Sequence, residues 1–179
     1  MKKVIFTLSL VLSVIYSFCQ VKKADEAPKS KLETFSESSG SMVKKEYFEI
    51  DKVKGVKFQV LKLTNVSTGT TLSGLRLEAE SGGSFSSTKT AFLDADELDG
   101  LIKALTYVNE SVLNTPVPAN DVEFNFHARS GFSAGVFNYR NKWLGYVKLE
   151  RFDSQSQFDF AAEDFQKVVE IIKSAKTKL

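Results

Sequence analysis

The clearest indication of the fold is in residues 121–150, DVEFNFHARSGFSAGVFNYRNKWLGYVKLE, where apolar and polar residues alternate on both sides of a short loop. Such alternation is typical of an antiparallel hairpin with one buried face. We predict that the loop is Arg129-Ser130-Gly131, with Gly131 in the left-handed conformation. A two-residue loop would instead place apolar side chains opposite polar ones. The predicted register pairs Phe124 with Val136, Phe126 with Ala134 and Ala128 with Phe132.

A second turn, at Arg140-Asn141, extends this sheet by pairing Val136 with Gly145 and Ala134 with Val147. An aromatic patch on the opposite face would either be covered by another part of the chain or serve as a contact surface. We favour coverage by the first half of the domain, because sheets usually bury their apolar faces. The opposite face carries six candidate binding residues: His127 and Lys148 at a polar end, and Phe137, Tyr139, Leu144 and Tyr146 at an aromatic end.

The rest of the globular part also has alternating or apolar runs separated by Gly-containing turns. The runs predict strands at 44–51, 56–64, 71–79 and 85–92, a helix from Asp94, further strands at 121–128, 132–139, 142–150 and around Phe158, and a last helix at 161–176. This order predicts an α+β fold in which antiparallel sheet or sheets pack against two amphipathic helices. We place a single globular domain at 44–179.

The two helices have the same apolar spacing. At an offset of 67 residues, Leu98, Leu101, Ile102 and Leu105 fall on Phe165, Val168, Val169 and Ile172. Stretches 44–113 and 120–179 are therefore candidate repeats of a unit of four strands and a helix, although any two amphipathic helices align in some register. Asp94 and Glu97 have the spacing of a capping box at the start of the first helix.

The N-terminal stretch has the pattern of a bacterial secretory signal peptide, residues 1–19. Lys2 and Lys3 precede an uncharged apolar run, and Ser17 and Cys19 are the small residues before a cleavage site at Gln20. We therefore expect a secreted or periplasmic protein without a membrane span in the mature chain. The alternative is a lipid anchor through Cys19. Residues 20–43 are rich in Lys, Glu and Ser and are predicted to form a flexible leader.

Composition narrows the function further. The chain has 179 residues, of which 42% are hydrophobic and 26% charged, as expected for a chain that buries a core. Removing Lys2 and Lys3 with the signal peptide lowers the count of Lys and Arg from 24 to 22, equal to the 22 Asp and Glu. The mature chain would also lack Cys19, the single cysteine, which excludes disulfides and thiolate chemistry. A neutral domain of this kind is not expected to bind nucleic acid.

Three motifs resemble catalytic or metal sites, and each has a simpler explanation. Residues 131–135 fit G-x-S-x-G, but a nucleophile elbow requires a helix after Ser133, and His127 precedes the serine instead of following it. Residues 94–105 fail the calcium-loop pattern at three positions, and helix capping explains the acids. Asp121 and Glu123 are a carboxylate pair on a strand that we interpret as solvated. We predict no cofactor and no metal.

We therefore expect an exported, non-catalytic module that binds another protein, a glycan or a component of the cell envelope. A first alternative is a single-stranded nucleic-acid-binding protein, because the element order over 44–179 resembles that of the PUR-type and Whirly proteins. That resemblance is topological, and it would assign base stacking and phosphate contact to Tyr139, Tyr146, Lys142 and Lys148. A second alternative is a small serine hydrolase using Ser133 and His127.

Overall fold

The computed structural model describes residues 28–82 and 86–179. The predicted signal peptide, its cleavage site at Cys19 and Gln20, and residues 20–27 of the predicted leader lie outside the described residues. The first sheet has the strand order β1-β2-β3-β4 and the second has the order β5-β6-β7-β8, and all pairs are antiparallel. The strands are β1 (Val43–Val53), β2 (Val56–Asn65), β3 (Thr71–Glu80), β4 (Thr88–Asp94), β5 (Glu123–His127), β6 (Ser133–Tyr139), β7 (Lys142–Lys148) and β8 (Gln157–Phe160).

In the described part of the chain, three helices accompany these sheets: α1 (Lys31–Ser36), α2 (Leu98–Ser111) and α3 (Ala162–Lys176). A short 3₁₀ turn at Ser154–Ser156 leads into β8. The predicted α+β fold is confirmed, and each sheet is followed by its own helix, so that the described residues from β1 onward form two units of four strands and a helix.

The predicted hairpin register is confirmed at every pair. Phe124 lies opposite Val136 and Phe126 opposite Ala134. The Ala128 N–H donates to the carbonyl of Phe132 at 2.8 Å. Gly131 has φ of 90°, which only glycine adopts without strain. The next turn has positive φ at both Arg140 and Asn141, and it pairs Val136 with Gly145 and Ala134 with Val147 as predicted.

The inner faces of the two sheets share one core with α2 and α3. The buried residues of the two helices repeat at the predicted offset: Leu98, Leu101, Leu105 and Val108 correspond to Phe165, Val168, Ile172 and Ala175. Phe165 is fully buried, and its ring lies against Gly145 of β7. The two units therefore pack against each other through one shared hydrophobic core.

Helix α1 departs from the expectation of a flexible leader over residues 20–43. Ser30 and Glu33 form a capping box at its start, and Leu32 is fully buried against Leu61 and Leu63 on the outer face of the first sheet. Gly74 makes room for it, because a Cβ there would lie 2.4 Å from Cδ1 of Leu32. The helix has too few apolar residues to show periodicity, so that its order depends on contacts distant in sequence.

The capping box predicted for α2 forms only in part. The Glu97 carboxylate accepts the Asp94 N–H at 3.1 Å, but the helix begins at Leu98 and the Asp94 side chain does not cap it. The Asp94 carboxylate instead accepts the N–H groups of Lys31 at 2.8 Å and Leu32 at 3.0 Å. Asp94 therefore caps α1, the helix that the sequence did not predict.

Candidate functional site

The candidate site is a groove of about 570 Å³ on the outer face of the second sheet. Tyr139 on its rim is 52% exposed, and Phe137 and Leu144 are partly exposed. The favoured expectation, coverage by the first half of the domain, is wrong for this groove, because no described residue of the first unit lines it. The groove is lined by Asp121, Val122, Glu123, Phe137, Asn138, Tyr139, Tyr146 and Gln157.

Tyr146 forms the floor of the groove. Its side chain reaches across β6 and donates from its hydroxyl to Oε1 of Glu123 at 2.7 Å. The residue of β6 opposite Tyr146 is Gly135, which has no side chain to separate the Tyr146 hydroxyl from the Glu123 carboxylate. Burial, and then the neighbouring Glu123 carboxylate, raise the pKa of Tyr146 well above its usual value. The phenol therefore stays protonated and holds one oxygen of Glu123 in place.

Two further aromatic rings form the wall and the rim. The Phe137 ring lies 6.0 Å from that of Tyr146, at an interplanar angle of 60°. Tyr139 carries the guanidinium of Arg140 over its ring, 5.0 Å from the centroid. The groove therefore presents an aromatic surface, one ring of which already contacts a cation.

Polar residues that the sequence did not assign to binding complete the lining. Asn138 accepts the Val122 N–H at 2.7 Å and donates to the carbonyl of Asn120 at 2.9 Å, which fixes the segment before β5. That segment brings Asp121 to the groove, and the described residues give its carboxylate no partner. The alternating pattern of β5 signalled Glu123, whereas Asn138 and Gln157 had no signal, because their positions depend on the loop and on β8.

The polar end of the face is a separate pocket of about 370 Å³. His127, Ser133 and Lys148 are neighbours in the register, as predicted. The six candidate binding residues are therefore divided: His127 and Lys148 line this pocket, Phe137, Tyr139 and Tyr146 line the groove, and Leu144 lines neither.

Ser133 does not have the setting of a nucleophile. It is 5% exposed, and its side chain lies close to the Tyr146 hydroxyl. In the part of the chain that the structure describes, no hydrogen bond joins it to His127. The strand β6 follows Gly131, where an elbow would need a helix. The geometry therefore gives Ser133 a structural role beneath the groove.

The acidic residues before α2 pair with a cation of the chain itself. Arg129 contacts Asp94 at 2.9 Å, Asp96 at 2.8 Å and Glu97 at 3.6 Å. Lys31 also contacts Asp96, at 2.9 Å. Hydrogen bonds from Lys31 and then Arg129 lower the pKa of Asp96 to about 2. These ion pairs, together with the capping of α1, account for the acids that resembled a calcium loop.

Comparison with known proteins does not assign the chain to a family. No family model matches the sequence, and a search of curated proteins finds no significant match. Among the residues that the structure describes, no helix is long and apolar enough to cross a membrane.

Proposed function

We propose that the protein is an exported, non-catalytic binding module whose ligand contacts the groove on the outer face of the second sheet. The observation that carries this proposal is the exposure of Phe137 and Tyr139 above a fixed floor made by Tyr146 and Glu123. Proteins bury most large aromatic side chains, and a concave aromatic surface with a few placed polar groups is typical of a binding site.

Export is supported by the signal-peptide pattern of residues 1–19, and an anchor through Cys19 is the alternative. The ligand is then a component of the envelope or the extracellular space: a protein, a glycan or a structural polymer. The charge of the groove disfavours nucleic acid, since Asp121 and Glu123 line it and would repel phosphates.

The experiment is an affinity capture from the envelope fraction with three matched baits: the mature protein, Tyr139→Ala and Tyr107→Ala. Tyr107 is 57% exposed on α2 and serves as the control for loss of a surface tyrosine. We expect the same partner to be recovered with the mature protein and Tyr107→Ala, and to be reduced with Tyr139→Ala. Equal recovery by all three baits would contradict the proposal.

A further inference from the structure

The outer face of the first sheet contains an arginine held by three kinds of group. Nη1 of Arg76 donates to Oε1 of Gln59 at 2.5 Å, and Nη2 donates to the Glu78 carboxylate. The guanidinium also lies over the Tyr47 ring, 5.2 Å from the centroid. A carboxylate, an amide oxygen and an aromatic ring together satisfy the charge, the donors and the flat face of this cation.

The lining of the groove on the second sheet contains the same kinds of group, and the nearest described arginine, Arg140, contacts the Tyr139 ring at the rim without lining the groove. Its exposed rings are those of Phe137 and Tyr139, its carboxylates are Asp121 and Glu123, and its amides are Asn138 and Gln157. No lysine or arginine is among the described residues that line it. One oxygen of Glu123 accepts from Tyr146, which leaves the second oxygen and both oxygens of Asp121 as acceptors.

We propose that this groove binds an arginine side chain presented by a partner protein, an inference that rests on the proposed function. A guanidinium is planar, weakly hydrated and permanently charged, so that it can stack on a ring and donate to a carboxylate at the same time. Tyr139 already accepts a guanidinium on its ring, that of Arg140. The volume of about 570 Å³ exceeds what one side chain fills and leaves room for the flanking residues of a peptide.

Charge distinguishes this ligand from the alternatives. A neutral glycan could stack on the rings and hydrogen-bond to the carboxylates, but it would leave their negative charge uncompensated. A polyanion would be repelled by them. Among the described residues, Asp121 and Glu123 face the groove without an ion pair, and a positively charged ligand is the one that uses both.

The test is a calorimetric titration at low salt with the blocked peptide Gly-Arg-Gly-Arg-Gly. The matched probe replaces each arginine with citrulline, which keeps the shape and removes the charge. We expect the arginine peptide to bind with saturation and the citrulline peptide to bind at least tenfold more weakly. Added salt should weaken the arginine peptide selectively.

Variants locate the binding. The double variant Asp121→Asn, Glu123→Gln should weaken the arginine peptide at least tenfold, and Gln at 123 still accepts the Tyr146 hydrogen bond. Glu110→Gln removes a carboxylate from the exposed surface of α2 and should leave affinity unchanged. Equal affinity for both peptides, no binding of the arginine peptide, or an unaffected double variant would overturn the inference.

The two proposals can fail separately. Suppose that a neutral oligosaccharide such as cellotriose binds, and that Tyr139→Ala abolishes its binding while the arginine peptide does not bind. The groove would then be the binding site, and only the inference about arginine would be overturned. If the affinity capture shows no dependence on Tyr139, the proposed function itself is contradicted.

Discussion

The outer face of the first sheet is closed at its apolar end by α1, whereas the outer face of the second sheet is open at its aromatic end. Leu61 and Leu63 are 2% and 0% exposed beneath that helix, while Tyr139 is 52% exposed on the second sheet. Both sheets have the same strand order, and both bury their inner faces in one core. The difference therefore lies in what the chain places outside each sheet, and it leaves the second sheet with surface available to a ligand.

Polar side chains of the first sheet also have partners within the protein. Arg76 binds Gln59 and Glu78, and Asp94 caps α1 while pairing with Arg129 of the second unit. In the second sheet Asp121 and Glu123 are exposed, and among the described residues only Tyr146 donates a hydrogen bond to them, at Glu123. The two outer faces therefore differ in their contacts, although the element order of the two units is the same.

The largest expected effect tests the feature that the two units share. Phe165→Ala should lower the free energy of unfolding by about 3–5 kcal/mol, because it empties a fully buried site where α3 meets the second sheet. Unfolding in urea should remain a single transition, since the inner faces form one core. Phe152→Ala, at a side chain 76% exposed, is the matched control and should change stability by less than about 0.5 kcal/mol. Separate transitions for the two sheets would contradict a common core.

The next prediction compares the two outer faces with one substitution. Leu32→Ala should cost about 2–3 kcal/mol, because Leu32 is fully buried, and detachment of the short helix α1 limits the loss. Leu144→Ala, on the open face, should cost about 1 kcal/mol or less, because its side chain is already partly exposed. Urea unfolding measures both values. Equal losses would show that α1 does not distinguish the two faces.

The sequence predicted much of this fold because most of it depends on local patterns. The hairpin from β5 to β7 was registered correctly, since apolar pairing and positive φ at Gly131 leave one consistent arrangement. Helix α1 was missed because its stability comes from contacts with β2 and with Asp94, more than 20 residues away along the chain. Pattern reveals which face of an element is apolar, but not which distant segment covers that face.

In the candidate site, too, local pattern predicted some features, whereas others depend on segments that are distant in sequence. Periodicity placed Phe137, Tyr139 and Tyr146 on one face, and the structure brings all three to one groove. Periodicity could not show that this face is open, and the favoured expectation that the first half of the domain covers it was wrong. Asp121 was recognised only as part of a carboxylate pair, because its place at the groove depends on the hydrogen bonds of Asn138 to the preceding loop.

A smaller effect concerns the floor of the open face. Tyr146→Phe should lower stability by about 1 kcal/mol, because it removes a buried hydroxyl that donates to Glu123. Tyr139→Phe removes a hydroxyl from an exposed ring of the same face and should have no measurable effect. Chemical denaturation of both variants provides the measurement. If Tyr139→Phe proved the more destabilising of the two, the assignment of floor and rim would be reversed.

The smallest expected effect concerns how α1 stays on the first sheet at low pH. The pKa of Asp96 is lowered to about 2 by Lys31 and then Arg129, so that its ion pairs favour the folded state fully above about pH 4. The contribution is lost as the pH falls from about 4 to about 2, where the native carboxylate takes up its proton. Asp96 is half exposed, and solvent screening keeps the effect modest.

Amide hydrogen exchange of Leu32 and its neighbours, compared with exchange in β6, reports this attachment. Lys31 belongs to α1, whereas Arg129 belongs to the second unit, and protonating Asp96 weakens the link between them. We expect the protection of α1 to fall relative to that of β6 between about pH 4 and 2 in the natural protein. In Asp96→Asn, the part of this loss of protection that is caused by protonation of Asp96 should disappear. The variant should also leave α1 less protected at neutral pH. If the natural protein and Asp96→Asn showed the same pH profile, the helix would be held by Leu32 and the Asp94 cap alone.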